Sequence, residues 1–192
     1  MLPQRPSGSE PPPGSRRERA AAVLILVYPL DAVPHLVLTR RTDTVQSHKG
    51  QISLPGGSHE GNETLIETAL REANEEIAVS SANLEVLGTL TPLYVGVSDY
   101  LITPVVAIAP RRPDFRPDPV EVVEVIEAPL YLLLDASIRV EEDWIVRDVP
   151  VHIPFFAVGP HKVWGATAMM LSEFAVMLEQ CSHPTSSDSL AL

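Results

Sequence analysis

The stretch from Leu65 to Ile77, LIETALREANEEI, has the period of an amphipathic helix, and that helix dictates what the rest of the chain must supply. With Glu72 at zero on a wheel of roughly 100° per residue, Leu65, Ile66, Ala69, Leu70, Ala73 and Ile77 fall between roughly 20° and 160°. This stripe must bury against another element. Glu76 falls at roughly 40°, inside the edge of the stripe, and Glu75 at roughly 300°, flanking Glu72. Glu67, Arg71 and Asn74 fall on the far side, where Glu67 can pair with Arg71 one turn along.

Glu72, Glu75 and Glu76 therefore cluster where the helix meets the body of the protein. Partly covered carboxylates repel one another, and loss of water adds to the cost. A hard cation with oxygen ligands, Mg²⁺ or Mn²⁺, resolves the conflict. Without it, at least one of these carboxylates should titrate above its ordinary range. Upstream, Pro55-Gly56-Gly57 offers backbone that can approach a ligand closely with exposed N–H groups. A glycine turn leading into a carboxylate-lined helix suits a metal-bridged diphosphate.

The partner for the helix is a sheet. AAVLILVYPL and HLVLTRR are β-rich runs joined by a turn at 31–34. A short ISL strand, the runs NLEVLGTLTPLYV and YLITPVVAIAP, the alternating VEVVEVIEA and the later VHIPFFAV read as further strands. PLYLLLD suits a short helix, and GATAMMLSEFAVMLEQC has helical spacing at Ala168, Leu171, Phe174, Ala175 and Leu178. Trp164 reads as helix entry. Strands with two main helices predict an α/β fold, a mixed sheet sandwiched by helices.

The chain has 192 residues, 45% apolar and 20% charged, which suits one domain. Residues 20–181 are expected to form it. Residues 1–19, rich in Pro, Gly and Ser, and 182–192 read as disordered tails. The net charge of -11 argues against nucleic-acid and anionic-membrane partners but not against a small anionic substrate with a divalent cation. The N-terminus lacks the apolar core of a signal peptide, and no apolar run reaches the roughly 18–20 residues of a membrane span. A lone Cys181 fits a reducing compartment. The expected location is cytoplasmic, as a monomer or a homodimer.

Gly57, five residues, Glu63, seven residues, then Arg71-Glu72-Ala73-Asn74-Glu75-Glu76 resembles the Nudix box, G-x5-E-x7-R-E-U-x-E-E-x-G-U with U aliphatic. Ala78 stands where the box has Gly, and Ala73 is small for its aliphatic position. Upstream, VLTRRTDTVQSHKGQISLPGG resembles the stretch that marks the coenzyme A pyrophosphatase branch, L-L-T-x-R-S-x3-R-x3-G-x3-F-P-G-G. Leu38, Thr39, Arg41, Gly50, Pro55, Gly56 and Gly57 agree; Gln46 stands where the branch has Arg.

The resemblance implies an α/β/α sandwich with the box as loop–helix–loop, and water attack on a diphosphate joining a nucleoside to another moiety. It implies metal ligation by Glu72, Glu75 and Glu76, supported by Glu63, with Arg71 orienting the carboxylates. For the coenzyme A branch the implied products are 4′-phosphopantetheine and adenosine 3′,5′-bisphosphate. The general base is Glu72 or Glu121. Arg40, Arg41 and Lys49 flank the turn and could hold phosphates, and Tyr94 and Tyr100 could line the pocket. If the branch Arg grips the 3′-phosphate of coenzyme A, Gln46 leaves one anchor missing unless Arg40, Arg41 or Lys49 compensates. Two other readings stand beside this one: a Nudix enzyme for a dinucleotide or nucleoside diphosphate sugar, and a non-catalytic nucleotide-binding module.

Overall fold

In a computed structural model, residues 19–42, 50–146 and 149–182 are described; Gln46, His48, Lys49 and all of the expected tails 1–19 and 182–192 except Arg19, which opens a strand, and Ser182, which ends a helix, lie outside them. In chain order the strands are β1 (Arg19–Leu30), β2 (Val33–Arg41), β3 (Ile52–Ser53) and β4 (Gly56–Ser58), followed by helix α1 (Leu65–Ile77). Then come β5 (Glu85–Thr89), β6 (Leu93–Val95), β7 (Tyr100–Ile108), β8 (Val122–Pro129), β9 (Arg139–Val146), β10 (Val149–Val158), β11 (His161–Trp164) and helix α2 (Gly165–Ser182). Leu130–Leu134 is a short 3₁₀ helix, as PLYLLLD suggested.

β1 organises the molecule. Asp31 and Ala32, both at positive φ, turn it tightly into antiparallel β2. On its other side it runs parallel to β7, Arg19 opposite Tyr100 through Val27 opposite Ile108. β2 pairs with β1 only over Val33–Leu36, and β4 takes its place against Ala21–Val23. The sheet thus splits beside β1, and the glycines expected in a turn, Gly56 and Gly57, instead open β4 after a bend at Pro55 and sit in the split.

Both faces of β1 are covered, which is why its sequence is a continuous apolar run rather than an alternation. Ala22, Leu24, Leu26 and Tyr28 pack with Ala69, Ala73 and Ile77 of α1. Val23 and Ile25 point to the opposite face, in one cluster with Leu171, Phe174 and Ala175 of α2 and with Phe156 and Val163. The expected sandwich is present, with α1 on one face of the mixed sheet and α2 on the other. The α2 side also carries a three-stranded antiparallel sheet, β11-β10-β9. Trp164 therefore ends a strand rather than opening the helix, and stacks edge-on against Trp144 of β9 at 5.2 Å. No helix among the described residues is long and apolar enough to cross a membrane.

α1 is rotated relative to the expected stripe. Ile66 is 36% exposed, whereas Thr68, at roughly 320° on the wheel, is fully buried with Ala69, Ala73, Glu76 and Ile77. Glu76 consequently sits near the middle of the buried face, not at its edge. Glu67 does not pair with Arg71. Its carboxylate accepts from the Thr64 N–H at 2.6 Å while its own N–H donates to Thr64 Oγ1, a capping box that satisfies two orphan donors.

The far end of α1 closes on Ala78 at φ 58°, the left-handed conformation that Gly adopts without a steric cost. Its N–H donates to Asn74 O at 2.9 Å. The segment after β7 then covers the remaining carbonyls: Arg116 N–H donates to Ile77 O at 3.1 Å and Asp118 N–H to Glu76 O at 2.8 Å. Ala78→Gly should keep these bonds and relieve the strain, raising stability by about 1 kcal/mol and the Tm by roughly 2–4 °C. An unchanged or lower Tm in a thermal melt would show that the cap carries no strain.

Candidate active site

The acids of α1 are organised by Arg71. Its guanidinium grips Glu63 through two bonds, Nε to Oε2 at 3.0 Å and Nη2 to Oε1 at 2.9 Å. Nη1 donates to Glu72 Oε1 and Glu75 Oε2, each at 2.9 Å, and Nη2 also reaches the carbonyl of Ser58 on β4 at 3.0 Å. Arg71 therefore folds inward over the box instead of projecting from the far side. Its bonds hold the Glu63 carboxyl down at about 2.

Glu76 has a different environment. Its residue is 2% exposed, and its partners are distant: the Gly56 N–H at 3.3 Å and Arg41 Nη1 at 3.4 Å. Burial outweighs them, and with Glu121 and Glu72 adding repulsion the carboxyl is pushed up to about 7. Burial also raises Glu72 against the opposing pull of Arg71. Glu121 reaches the group from the segment before β8, its Oε2 lying 3.7 Å from Arg41 Nη2. The Asp118 carboxylate accepts from the Val120 N–H at 2.9 Å, and the Thr42 N–H donates to the Glu121 carbonyl at 2.9 Å. The turn bearing Glu121 is thus tied to β2 on one side and to α1 on the other.

Among the described residues, no three His, Cys, Asp or Glu side chains converge as they stand on a point that could hold an ion. Glu72 and Glu75 are turned to Arg71, and Glu76 to Arg41. The donor chemistry nevertheless fits a hard divalent cation. Glu72 and Glu76 offer carboxylate oxygens whose proton affinity is raised by burial and, to a lesser degree, by neighbouring carboxylates including Glu121, the conflict a dication relieves.

The glycines let these carboxylates reach the sheet. A Cβ on Gly57 would lie 2.5 Å from the Glu72 carboxylate, so Glu72 fills the space a side chain would need. A Cβ on Gly56 would instead meet the backbone of β1, Val23 Cα at 2.6 Å. Gly57→Ala should fold with little loss, because a flexible side-chain end can move, but should displace Glu72 and lower kcat about tenfold. Gly56→Ala should cost about 2 kcal/mol or more of stability, since backbone cannot yield. Equal effects of the two on melting temperature and kcat would contradict this division.

Beside Gly56 and Gly57 opens a cleft of about 1360 Å³. One wall is sheet: Arg19, Arg41, Gly56, Gly57, Ser58 and Tyr100. The other comes from β10, β11 and α2 and is largely apolar, with Phe155, Phe156, Trp164 and Met169. Of the other residues singled out in the sequence, Arg40 is bound to Glu124 at 3.0 Å and faces a separate recess of about 370 Å³ with His161 and Lys162. Tyr94 donates to Asp99 at 2.8 Å. Lys49 lies outside the described residues.

Arg19 was missed. Composition assigned it to the Pro-rich tail, yet β1 begins with it and it lies on the cleft wall, its guanidinium 4.3 Å above the Tyr100 ring. No periodicity reaches a residue at the first position of a strand.

A NUDIX domain model matches residues 18–142. The chain is 35% identical over 173 residues to a protein of Photorhabdus laumondii named "Uncharacterized Nudix hydrolase NudL", covering 88% of this chain and 91% of that one. It is 36% identical over 169 residues to its namesake in Pectobacterium atrosepticum, covering 87% and 85%. Among solved structures, the Nudix hydrolase RenU of M. smegmatis superposes with a TM-score of 0.59 over 87% of this chain and 88% of that one, at 18% identity, a likeness of fold.

Proposed function

The chain belongs to the Nudix hydrolase family, and on that premise we propose that it hydrolyses the diphosphate linkage of coenzyme A or its derivatives, giving 4′-phosphopantetheine and adenosine 3′,5′-bisphosphate. The observation that carries the reading is the grouping of Glu72, Glu76 and Glu121 around Arg41, Gly56 and Gly57, the last three of which also line a cleft whose opposite side is largely apolar. A diphosphate needs the charged end, and a long uncharged arm needs the apolar wall. The agreement of Leu38, Thr39, Arg41, Gly50 and Pro55 to Gly57 with the coenzyme A branch supports this substrate over others.

In this reading Glu72, Glu75 and Glu76, aided by Glu63, would hold Mg²⁺ or Mn²⁺, which would supply positive charge to the diphosphate oxygens and acidify water. Arg71 sets the direction of three of these carboxylates. Arg41, between Glu76 and Glu121, would neutralise phosphate beside that cation. Glu121, with its side chain 44% exposed, is the base that stays accessible to water, whereas Glu72 is committed to Arg71. Water attacks phosphorus, its proton passes to the carboxylate, and the bridging P–O bond breaks with the other phosphate as leaving group.

The test is a panel of coenzyme A, dephospho-coenzyme A, a dinucleoside polyphosphate and a nucleoside diphosphate sugar, with and without Mg²⁺, products resolved by chromatography. Coenzyme A cleaved best, and only with cation, is the expected result. Preference for a dinucleotide or sugar would move the substrate assignment, and binding without cleavage of any member would make the domain a sensor.

A further inference from the structure

We infer that Arg19, held over the Tyr100 ring, recognises a phosphate that the substrate carries on its ribose outside the scissile diphosphate; this rests on the cleft taking a nucleoside diphosphate. Alternation along β1 puts Arg19 on the same side as Ala21 and Val23, and all three line the cleft. The parallel register sets Arg19 against Tyr100, and the contact is close, 4.3 Å from guanidinium carbon to ring centroid. The ring is itself fixed, its hydroxyl 2.8 Å from Ser58 Oγ, and the Ser58 carbonyl accepts from Arg71. The platform is therefore tied to the same strand that borders the carboxylates.

Arg19 stands apart from the other cations of that cleft. Arg41 is shared between Glu76 and Glu121. Arg139 donates to the Leu133 carbonyl at 3.1 Å and lies 3.6 Å from Glu179. Arg19 makes no ion pair with a carboxylate among the described residues, in a chain with 25 acidic and 14 basic residues. Contact with the ring engages the charge of the guanidinium without using its N–H donors as a salt bridge would, and these form the fork that matches a phosphate. Ala22 pairs with Gly57, so Arg19 starts three residues along β1, roughly 10 Å from that glycine. With its own side chain added, that offset suits a group on the far side of a ribose rather than the diphosphate at the glycines. The site selects nucleotides bearing a ribose phosphate, the feature that separates coenzyme A from its dephospho form. Arg40, bound to Glu124 and facing a separate recess, is not the source of that selectivity.

The direct measurement is calorimetric titration of adenosine 3′,5′-bisphosphate and of AMP, without divalent cation, into the full chain and into Arg19→Gln. The native protein should bind the bisphosphate about ten- to a hundredfold more tightly than AMP, and Arg19→Gln should bind the two alike. Tyr100→Leu, which removes the platform but keeps the cation, should lose part of the difference. Equal affinities in the native protein, or a preference that survives in Arg19→Gln, overturn the inference. In parallel, the ratio of kcat/KM for coenzyme A to that for dephospho-coenzyme A should fall by the same factor in Arg19→Gln; an unchanged ratio also overturns it. If the native protein cleaves neither, the hydrolase reading fails while the titration still decides the role of Arg19.

Discussion

Glu76→Gln should turn over substrate at least a hundredfold more slowly while its metal-free form is more stable than the native protein above neutral pH. The loss of activity follows from removing a charged oxygen donor at the centre of the carboxylate group. The gain in stability follows from the raised carboxyl. Folded Glu76 titrates at about 7, whereas an unfolded Glu titrates near 4.5. Between these values the native state binds the extra proton, so raising the pH costs stability, and the cost is complete above the folded value. A separation of that size corresponds to about 3 kcal/mol. The amide of Gln carries no such cost and can still accept from the Gly56 N–H. In chelator, the stability difference between the two proteins should be absent near pH 4 and open progressively to pH 8. A native protein whose chemical denaturation shows no such slope relative to the variant would mean that Glu76 ionises without penalty, and undiminished kcat would remove it from the site.

Arg71→Ala should be damaging in both respects. Arg71 binds three carboxylates and the Ser58 carbonyl, and its removal leaves Glu63, Glu72 and Glu75 repelling one another next to β4. With the arginine side chain 27% exposed, solvent screens part of this, and the loss should be about 2 kcal/mol rather than the larger cost of breaking a fully buried pair. Turnover should fall about a hundredfold or more, since the ligating carboxylates lose their common direction. Glu63 supplies an acid-side signature. Its folded carboxyl is held at about 2, so its contribution is present above the ordinary range and lost as the pH falls toward that value. The stability gap between native and variant should accordingly be full at pH 7 and shrink below pH 4.5. A constant gap across that range would mean that Arg71 acts by packing alone.

The sequence made α1 legible because its period is long and its acids are closely spaced. It did not reveal the rotation that centres Glu76 on the buried face. That rotation comes from Thr68, whose hydroxyl donates to Glu63 Oε1 at 2.9 Å and takes a core position that hydrophobicity awards to Ile66. The Thr64-to-Glu67 spacing is a readable capping signal, but the same Glu also stands one turn before Arg71, and only the fold shows that Arg71 is occupied elsewhere. β9 was invisible for another reason. RVEEDWIV owes its strand to partners distant in sequence: Lys162 and Trp164 across the small sheet, and His152, which holds Asp143 at 2.9 Å and Glu141 at 2.7 Å. Arg19 fell at a compositional boundary, where strand and tail cannot be told apart by residue type.

The parallel pairing of β1 with β7 has a consequence for how the protein is made. A ribosome that has finished β1 at Leu30 must add the residues up to Ile108 before the neighbouring strand is complete. At about 5–20 residues per second this takes roughly 4–16 s, during which AAVLILVY presents an open apolar edge. Helix α1 emerges within that interval, before Glu121 has been translated. The nascent chain should therefore be a chaperone client until β7 clears the exit tunnel, and its ability to bind a ligand should arrive late and abruptly. Arrested chains of graded length, probed for bound chaperone, should show that release coincides with the emergence of Ile108 and not with that of the helix.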